Sequence, residues 1–396
     1  MKTKRSKIVW RPVTVTFFLI LPVAITAGGF LLLWHAPWLT SAPTNYVAEA
    51  LVALEPETPK VPEFVVTHLP TPEPLKALYL TSWAAGTKSF RDHILKLTDE
   101  TEINSLVIDI KDYSGRIAFP VINPVLIKIG SQELRIPDVK EFIGKLHKKG
   151  IYVIGRVAVF QDAFLVAKRP ELAVKRESDN GVWRDRKGIP WLDAGAREVW
   201  DYTIAISRDA YAVGFDEINF DYIRFPSDGD MKDIAYTHFN SASSTRVKQM
   251  EKFFKYLDKG LNYLPLPTSV DLFGLTTSSA DDLGIGQKLE IAAPYFDYIA
   301  PMVYPSHYAS GYLGFANPAT KPYEVVKNSL DLASLKLLNA SSSPQKLRPW
   351  LQDFDLGADY TAEMVRAQIQ AVYDAGLTSW MLWDPSNKYT VGGLDK

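Results

Sequence analysis

Apolar residues recur along residues 75–396 with two alternating periods. Short runs rich in β-branched and aromatic residues predict eight strands, at 76–83, 105–112, 152–160, 215–223, 267–274, 297–304, 347–354 and 378–384. Segments with apolar residues three or four positions apart predict helices between them, at 89–101, 138–150, 196–214, 247–261, 281–295, 323–338 and 362–376. Ser89 is a candidate N-cap, and the segment at 138–150 begins with Asp138 and ends on Gly150. The segment at 281–295 is the weakest helix candidate because two glycines interrupt it.

Strict alternation of strands and helices predicts a parallel sheet in an α/β fold. Eight units over about 320 residues favour a (β/α)8 TIM barrel. A doubly wound open sheet is the alternative, but no glycine-rich phosphate turn follows the first strand. Only twelve residues follow Asp384, so we expect the eighth helix to be missing or vestigial.

The amino-terminal residues predict a membrane anchor. An uncharged run at 12–34 is about long enough to span a bilayer as a helix. It follows five cations, Lys2, Lys4, Arg5, Lys7 and Arg11. The basic flank should stay in the cytoplasm, so residues 1–39 are expected to form a single-pass anchor in the cell membrane with the rest of the chain outside. A signal peptide cleaved near Ala27 is the alternative.

Residues 40–74 are dense in Pro and Glu and show little periodicity, which is typical of an extended linker. The linker would separate the anchor from a single globular domain at 75–396. That domain is the part of the chain to which the strand and helix predictions apply.

Composition excludes several classes of function. The chain has 44 Lys and Arg against 45 Asp and Glu, so no net field favours a nucleic-acid partner. There is no Cys, and the six His lack ligand spacing, so neither a cofactor nor a histidine-rich zinc site is predicted. A Ca²⁺ bound by carboxylates stays open. The 12% aromatic content suits contacts with the apolar faces of sugars.

The predicted strands end in polar or aromatic residues, at the edge where barrels of this type carry their active sites. The fourth strand lies in the stretch GFDEINFDYIRFPSDG at 214–229. Alternation places Glu217, Asn219 and Asp221 on one face, with Asp221 near the carboxyl end. Buried carboxylates are costly unless they are paired. A pair of carboxyl groups at this edge is what glycoside hydrolysis requires.

The sequence resembles a bacterial family of proposed glycoside hydrolase domains that was long classed as a domain of unknown function. The resemblance rests on GFDEINFDYIRFPSDG, SVDLFG, APMVYPSHY and WMLWDPSNKY, and it extends from about Leu78 to Tyr389. Members of this family commonly carry an N-terminal membrane anchor. The resemblance implies a TIM barrel distantly related to glycosidases of the alpha-amylase type.

The fourth strand departs from two better-known patterns. Amylase-type enzymes have Gly-x-Asp-Gly-x-Arg-x-Asp, whose last Asp is the nucleophile. Gly214, Asp216 and Asp221 are in register with that pattern, but Asn219 replaces the arginine that would pair with the nucleophile. Chitinase-type enzymes place their catalytic Glu where this chain has Ile223, so the chitinase mechanism is disfavoured.

We therefore predict Asp221 and Asp271 as the catalytic carboxylates, because the fifth strand neighbours the fourth and carries the acid in some amylase-type barrels. Asp384 and Asp353 are second choices for the acid. The predicted substrate contacts are Trp83, Asp109, Lys111, Asp112, Arg156, Trp191, Asn219, Arg224, Tyr304, Gln352, Trp383 and Asp384. Alternatively, Asp109, Lys111 and Asp112 form an internally neutralised ion cluster, and the two arginines pair with nearby Asp residues for structure.

The sequence thus predicts an anchored, extracytoplasmic glycosidase whose substrate is a cell-surface or envelope polysaccharide. The alternative is a carbohydrate-binding barrel without catalysis that acts as an envelope scaffold.

Overall fold

The computed structural model describes residues 65–396, and these form a closed barrel of eight parallel strands. The strands are β1 (Lys76–Leu80), β2 (Ser105–Lys111), β3 (Tyr152–Ala158), β4 (Glu217–Asp221), β5 (Thr268–Phe273), β6 (Tyr298–Met302), β7 (Trp350–Gln352) and β8 (Trp380–Trp383). Each strand pairs with its neighbours in the chain, and β8 pairs in parallel with β1. The predicted TIM barrel is confirmed.

Helices connect the strands around the outside of the barrel. They are α1 (Ser82–Gly86), α2 (Lys88–Glu100), α3 (Pro124–Ile129), α4 (Val139–His147), α5 (Ala163–Lys168), α6 (Arg197–Val213), α7 (Arg246–Leu261), α8 (Leu289–Ala292), α9 (Pro322–Asn339) and α10 (Ala362–Asp374). Within residues 65–396, the only helix after β8 is a short 3-10 turn at Val391–Gly393. The eighth α-helix is therefore missing from the described part, as predicted.

Two helix predictions need correction. Helix α2 has Thr87 and not Ser89 at its N-cap position, because the helix already begins at Lys88. The helix predicted at 281–295 shrinks to the four residues of α8. Gly284 and Gly286 adopt φ of 67° and 81°, so the chain there follows left-handed turns that a right-handed helix cannot include.

The interior of the barrel is strongly polar at its amino-terminal end. Glu217 accepts hydrogen bonds from Arg348 Nη1 at 2.8 Å and from Tyr152 Oη at 3.1 Å. All three side chains are buried. The buried charge of Glu217 is therefore paired with a cation. The three side chains fill the amino-terminal end of the barrel interior, so a functional site is left to the carboxyl end.

Strand β4 follows α6 through Gly214, whose φ of 115° lies in the left-handed region that favours glycine. The strand then alternates as predicted. Glu217, Asn219 and Asp221 bond to partners across the barrel interior. Phe220 faces the helices and is fully buried, with its ring 6.1 Å from that of Phe296.

The described end of the predicted linker contacts the barrel. Residues 65–70 run without regular secondary structure. Leu69 N–H donates to Asp216 Oδ1 at 2.8 Å, and Thr67 Oγ1 lies 2.9 Å from His147 Nδ1. His147 Nε2 in turn lies 2.9 Å from Asp216 Oδ2. This part of the linker is therefore bound to the amino-terminal side of β4 and to α4.

Within residues 65–396, no helix combines the length and hydrophobicity needed to cross a membrane. The anchor predicted at 12–34 and the alternative cleavage site near Ala27 lie outside the described residues.

Phe220→Ala should lower the free energy of unfolding by about 3–5 kcal/mol, because removing a fully buried ring leaves a cavity. Chemical denaturation of the purified protein measures this. Tyr263→Ala, at a position 60% exposed, is the matched control and should have little effect. Equal losses in the two variants would mean that Phe220 does not contribute to the core as described.

Candidate active site

Asp221 is the last residue of β4 and lies at the carboxyl end of the barrel. It is buried, and its Oδ1 accepts the backbone N–H of Tyr222 at 2.5 Å. Tyr222 adopts a φ of 48°, which is uncommon for a residue with a side chain. The backbone thus turns sharply directly after Asp221, and such local strain is frequent at functional sites.

One guanidinium holds three carboxylates from three other strands. Arg156 on β3 donates through Nη1 to Asp109 on β2 at 2.6 Å and through Nη2 to Asp221. Its Nε lies 3.4 Å from Asp271 Oδ2 on β5. All four side chains are buried. The structure therefore brings together both predicted catalytic residues and two of the predicted substrate contacts, Asp109 and Arg156.

The charge partner that β4 lacks comes from β3. Arg156 is paired in register with Asn219, the position where the amylase-type pattern has its arginine. Its guanidinium reaches Asp221 from the neighbouring strand. The expectation that Asn219 leaves the nucleophile without a cation is therefore wrong.

Asp271 is the most enclosed of the three carboxylates. Its Oδ1 accepts Asn219 Nδ2 at 2.9 Å and Trp350 Nε1 at 2.7 Å. Burial, and then the negative charge of Asp221, raise the pKa of Asp271 to about 7, against the opposing effect of Arg156. Arg156 contacts Asp221 more closely than Asp271, and Asp271 is the more deeply buried, so the two carboxyl groups have different environments. Such a difference is what separates an acid from a nucleophile.

Aromatic rings surround Arg156. Tyr79 stacks on Trp383, with ring centroids 3.7 Å apart, and donates its hydroxyl to Asp109 at 2.5 Å. The guanidinium carbon of Arg156 lies 4.7 Å from the Trp383 ring centroid. Tyr304 is buried near the same carboxylates, and burial, followed by the charge of Asp271, raises its pKa.

Sequence reasoning missed two members of this cluster, Tyr79 and Trp350. Both are aromatic residues in predicted strands, and their only signal was an inward position in the alternation. Their polar ring atoms face Asp109 and Asp271, which no pattern within a single strand indicates.

A second pair of carboxylates lies at the ends of β7 and β8. Asp353 Oδ2 accepts Thr390 N–H at 2.9 Å, while its buried Oδ1 has no hydrogen-bond partner among the described residues. Burial, helped by the charge of Asp384, raises the pKa of Asp353 to about 6 despite the bonds from Thr390. Asp384 accepts the N–H and hydroxyl of Ser386 at 2.7 and 2.8 Å.

Lys111 is not placed to contact substrate, which corrects that prediction. Its ammonium lies 2.9 Å from Asp162 Oδ2 and donates to the carbonyl of Ala158, so its charge is used within the protein. The strand register shifts between Asp109 and Lys111, so the chain bulges there and the lysine turns away from Arg156.

The proposed Asp109, Lys111 and Asp112 ion cluster is also wrong, because each residue pairs with a different partner. Asp112 accepts Arg135 Nη1 at 2.6 Å, and the Arg135 guanidinium lies 4.6 Å from the ring centroid of Trp83. Trp83 is 60% exposed. Trp83 and Asp112 thus belong to a separate group at the ends of β1 and β2.

Two further predicted contacts are enclosed within the protein. Gln352 is fully buried, where its Oε1 accepts Ser306 N–H at 3.1 Å and its Nε2 donates to Phe354 O at 2.9 Å. Trp191 is buried and donates its ring N–H to Asp185 at 3.0 Å. Both side chains therefore support the walls of the site, because neither presents a free polar atom or an open face.

No group of three or more His, Asp or Glu side chains within residues 65–396 is arranged to hold a metal ion. The cation among Asp109, Asp221 and Asp271 is the guanidinium of Arg156.

Arg156→Gln should lower the free energy of unfolding by about 3–5 kcal/mol near neutral pH, because it leaves buried carboxylates without their cation. The loss should shrink as the pH falls, since the unpaired carboxylates then take up protons in the folded state. Denaturation curves between pH 4 and pH 8 measure both effects. Arg176→Gln, which breaks an exposed pair with Asp179, is the control and should change stability little. A loss that is independent of pH would contradict the electrostatic role of Arg156.

The barrel fold described above agrees with what this chain is similar to among known proteins. A family model described as "Putative glycosyl hydrolase domain" matches residues 77–389. No curated protein matches the sequence.

Among solved structures, a hypothetical protein from Ruminiclostridium thermocellum is 35% identical, with a TM-score of 0.44, over 52% of this chain and 98% of that chain. The glycoside hydrolase domain of PgaB (BpsB) from Bordetella bronchiseptica is 12% identical, with a TM-score of 0.58, over 79% of this chain and 95% of that chain.

Alpha-L-fucosidase isoenzyme 2 from Paenibacillus thiaminolyticus is 12% identical, with a TM-score of 0.54, over 81% of this chain and 48% of that chain. At 12% identity the last two likenesses show the barrel fold alone. The family match, in contrast, covers most of the barrel. The chain therefore belongs to the family of putative glycosyl hydrolase domains.

Proposed function

We propose that this protein hydrolyses glycosidic bonds, with Asp221 as nucleophile and Asp271 as general acid. The observation that carries the proposal is the contact of both carboxyl groups with the single guanidinium of Arg156 at the carboxyl end of the barrel. This is the edge at which TIM barrels carry their active sites. Membership of the glycosyl hydrolase family supports the reaction class.

The different surroundings of the two groups suit the two roles. Asp221 receives the closer contact from the Arg156 guanidinium. Asp271, with its pKa raised to about 7 by burial and by Asp221, holds a proton in a good part of the molecules at neutral pH. Since both carboxyls reach one guanidinium, we propose the retaining mechanism, whose two carboxyl groups lie closer together than those of inverting enzymes.

In this mechanism Asp271 donates its proton to the glycosidic oxygen as the bond to the leaving group breaks. Asp221 attacks the anomeric carbon and forms a glycosyl ester. Asp271, now a carboxylate, then removes a proton from the water that hydrolyses this ester, and both residues return to their starting states. Arg156 limits the negative charge around Asp221 and fixes the orientation of its carboxylate.

Asp353 is the alternative acid. Its buried Oδ1 lacks a hydrogen-bond partner among the described residues, so that atom is available to carry a proton, and its pKa is raised to about 6. Asp271 has the advantage of facing the same guanidinium as Asp221.

A carbohydrate-binding barrel without catalysis is the second candidate. The pairing of Asp109 and Asp221 with Arg156 favours it, because a purely structural ion cluster would be paired in the same way.

For the substrate and location we propose a cell-surface or envelope polysaccharide, reached by a barrel held outside the cytoplasm on the anchor at 12–34. The basic flank and the uncharged run support this arrangement.

Asp221→Asn should reduce hydrolysis by about 10²–10³-fold or more, because it removes the charge that attacks the anomeric carbon. The assay measures new reducing ends after the full-length protein is incubated with purified cell-wall and capsular glycans. Asp228→Asn changes an exposed aspartate nearby and is the matched control, expected to keep parental activity. Asp221→Asn with parental activity would refute the assignment, and binding of glycans without cleavage by the parent would favour the non-catalytic barrel.

Hydrolysis measured with the same assay at several pH values identifies the carboxyl group that donates the proton. Activity requires the protonated acid, so it should fall as the pH rises through about 7 if Asp271 donates the proton. A fall centred near pH 6 would instead point to Asp353. Asp271→Asn should abolish this proton donation, whereas Asp353→Asn should leave the alkaline fall in place. The reverse pattern in the two variants would exchange their roles.

The anchor makes a separate prediction. The full-length chain should sediment with membranes and be released by detergent but not by salt, because an uncharged run of spanning length holds it there. A chain that begins at residue 40 should remain in the soluble fraction. Recovery of the full-length chain as a soluble cytoplasmic protein would contradict the anchor.

A further inference from the structure

Arg224 is a buried arginine that has no ion-pair partner among residues 65–396. It lies three residues beyond Asp221 and is 8% exposed. Its Nη1 donates to the carbonyl of Phe225 at 3.0 Å and to the hydroxyl of Ser227 at 3.2 Å. Within residues 65–396, its Nε and Nη2 have no hydrogen-bond partner and no carboxylate lies within ion-pair distance of it. Burying most of a guanidinium without an anion is costly.

Three aromatic rings hold the guanidinium in place. Its central carbon lies 4.4 Å from the ring centroid of Phe273, 4.8 Å from that of Trp191 and 5.6 Å from that of Tyr222. Cation–π attraction partly offsets the lost hydration. With Nη1 bonded to the protein, the edge formed by Nε and Nη2 is the one left for a ligand.

The nearby acidic residues do not supply the missing anion. Asp185 already accepts hydrogen bonds from Gln161 and Trp191 and from two backbone amides. Asp221 is bonded to Arg156. Burial lowers the pKa of Arg224, and the charges of Asp221 and Asp228 only partly oppose this effect.

Comparison with Arg156 shows why Arg224 is the arginine available to a ligand. Both are buried to a similar degree, at 5% and 8% exposure. Arg156 uses all of its edges on Asp109, Asp221 and Asp271. The charge of Asp221 acts on the pKa of Arg224 and raises it against the effect of burial, so an anion held at the free edge of Arg224 would lie in the neighbourhood of Asp221.

We propose that Arg224 binds the carboxylate of an acidic sugar, so that the glycan recognised by this barrel contains uronic acid or another carboxylate-bearing sugar. Cleavage of that glycan rests on the proposed function of Asp221, whereas binding of the carboxylate to Arg224 does not. A planar carboxylate matches the Nε and Nη2 edge and accepts two parallel, charge-assisted hydrogen bonds. A neutral hydroxyl in the same place would leave the buried cation uncompensated.

The first experiment compares ligands on the unaltered, full-length protein. Isothermal titration measures the binding of D-glucuronate, of its neutral methyl ester and of D-glucose 6-sulfate. We expect the glucuronate to bind about tenfold or more tightly than the ester, because charge-assisted hydrogen bonds are made only to the anion. Equal binding of the acid and its ester would overturn the proposal, and tighter binding of the sulfate would overturn the assignment to a carboxylate.

The second experiment identifies the residue. Arg224→Gln should remove the preference for the acid over its ester, and Arg224→Lys should keep part of it because the charge remains without the planar fork. Arg184→Gln changes an exposed arginine that donates only to the carbonyl of Gly188, and it should keep the full preference. Thermal melting establishes whether each variant is folded. If Arg224→Gln does not fold, the result with Arg224→Lys decides the outcome. An unchanged preference in the folded Arg224 variant would overturn the proposal.

The two proposals fail in different ways. Asp221→Asn should lose hydrolysis and still prefer glucuronate to its ester. If neutral glycans are cleaved with dependence on Asp221 and no acid is preferred, the acidic-sugar site is wrong and the hydrolase stands. If glucuronate is preferred and no glycan is cleaved, the hydrolase is wrong and the site stands.

Discussion

The ion cluster around Arg156 is the constraint on which the carboxyl end of the barrel depends. Asp109, Asp221 and Asp271 come from three strands and are all buried, so their charges require a cation among them. Arg156 provides it from β3 and contacts all three. The position of the arginine therefore sets the positions of the carboxylates, and with them the geometry that a glycosidic bond would meet.

The closed sheet makes this cluster possible. Parallel strands in register bring Arg156 level with Asp109 on one side and with Asn219 on the other. Below this level, the pair of Glu217 and Arg348 fills the amino-terminal end, so polar contacts continue through the barrel. One guanidinium thus contacts three carboxylates in the barrel interior. The raised pKa of Asp271 follows from burial and from the charge of Asp221, and not from an exposed acidic surface.

The surroundings of Arg224 differ from those of the paired residues. It lies among aromatic rings, and one edge of its guanidinium has no hydrogen-bond partner in the described part of the chain, although Asp221 is only three residues away in sequence. The φ of 48° at Tyr222 turns the backbone between the two residues, and Asp221 is already committed to Arg156.

By itself, the sequence determined the barrel and the face of each strand. The alternating periods predicted eight strands, and the period of two placed Asn219 and Asp221 on the inner face. Only the tertiary structure decided the partners. Arg156, which replaces the arginine missing from β4, lies 65 residues before Asp221, and its neighbourhood depends on which strands adjoin. The tertiary structure also decided which side chains are buried. Packing encloses three predicted substrate contacts, Lys111, Trp191 and Gln352, although they end or follow strands. Periodicity along a strand fixes orientation and level, whereas pairing and solvent access depend on atoms brought from distant parts of the chain.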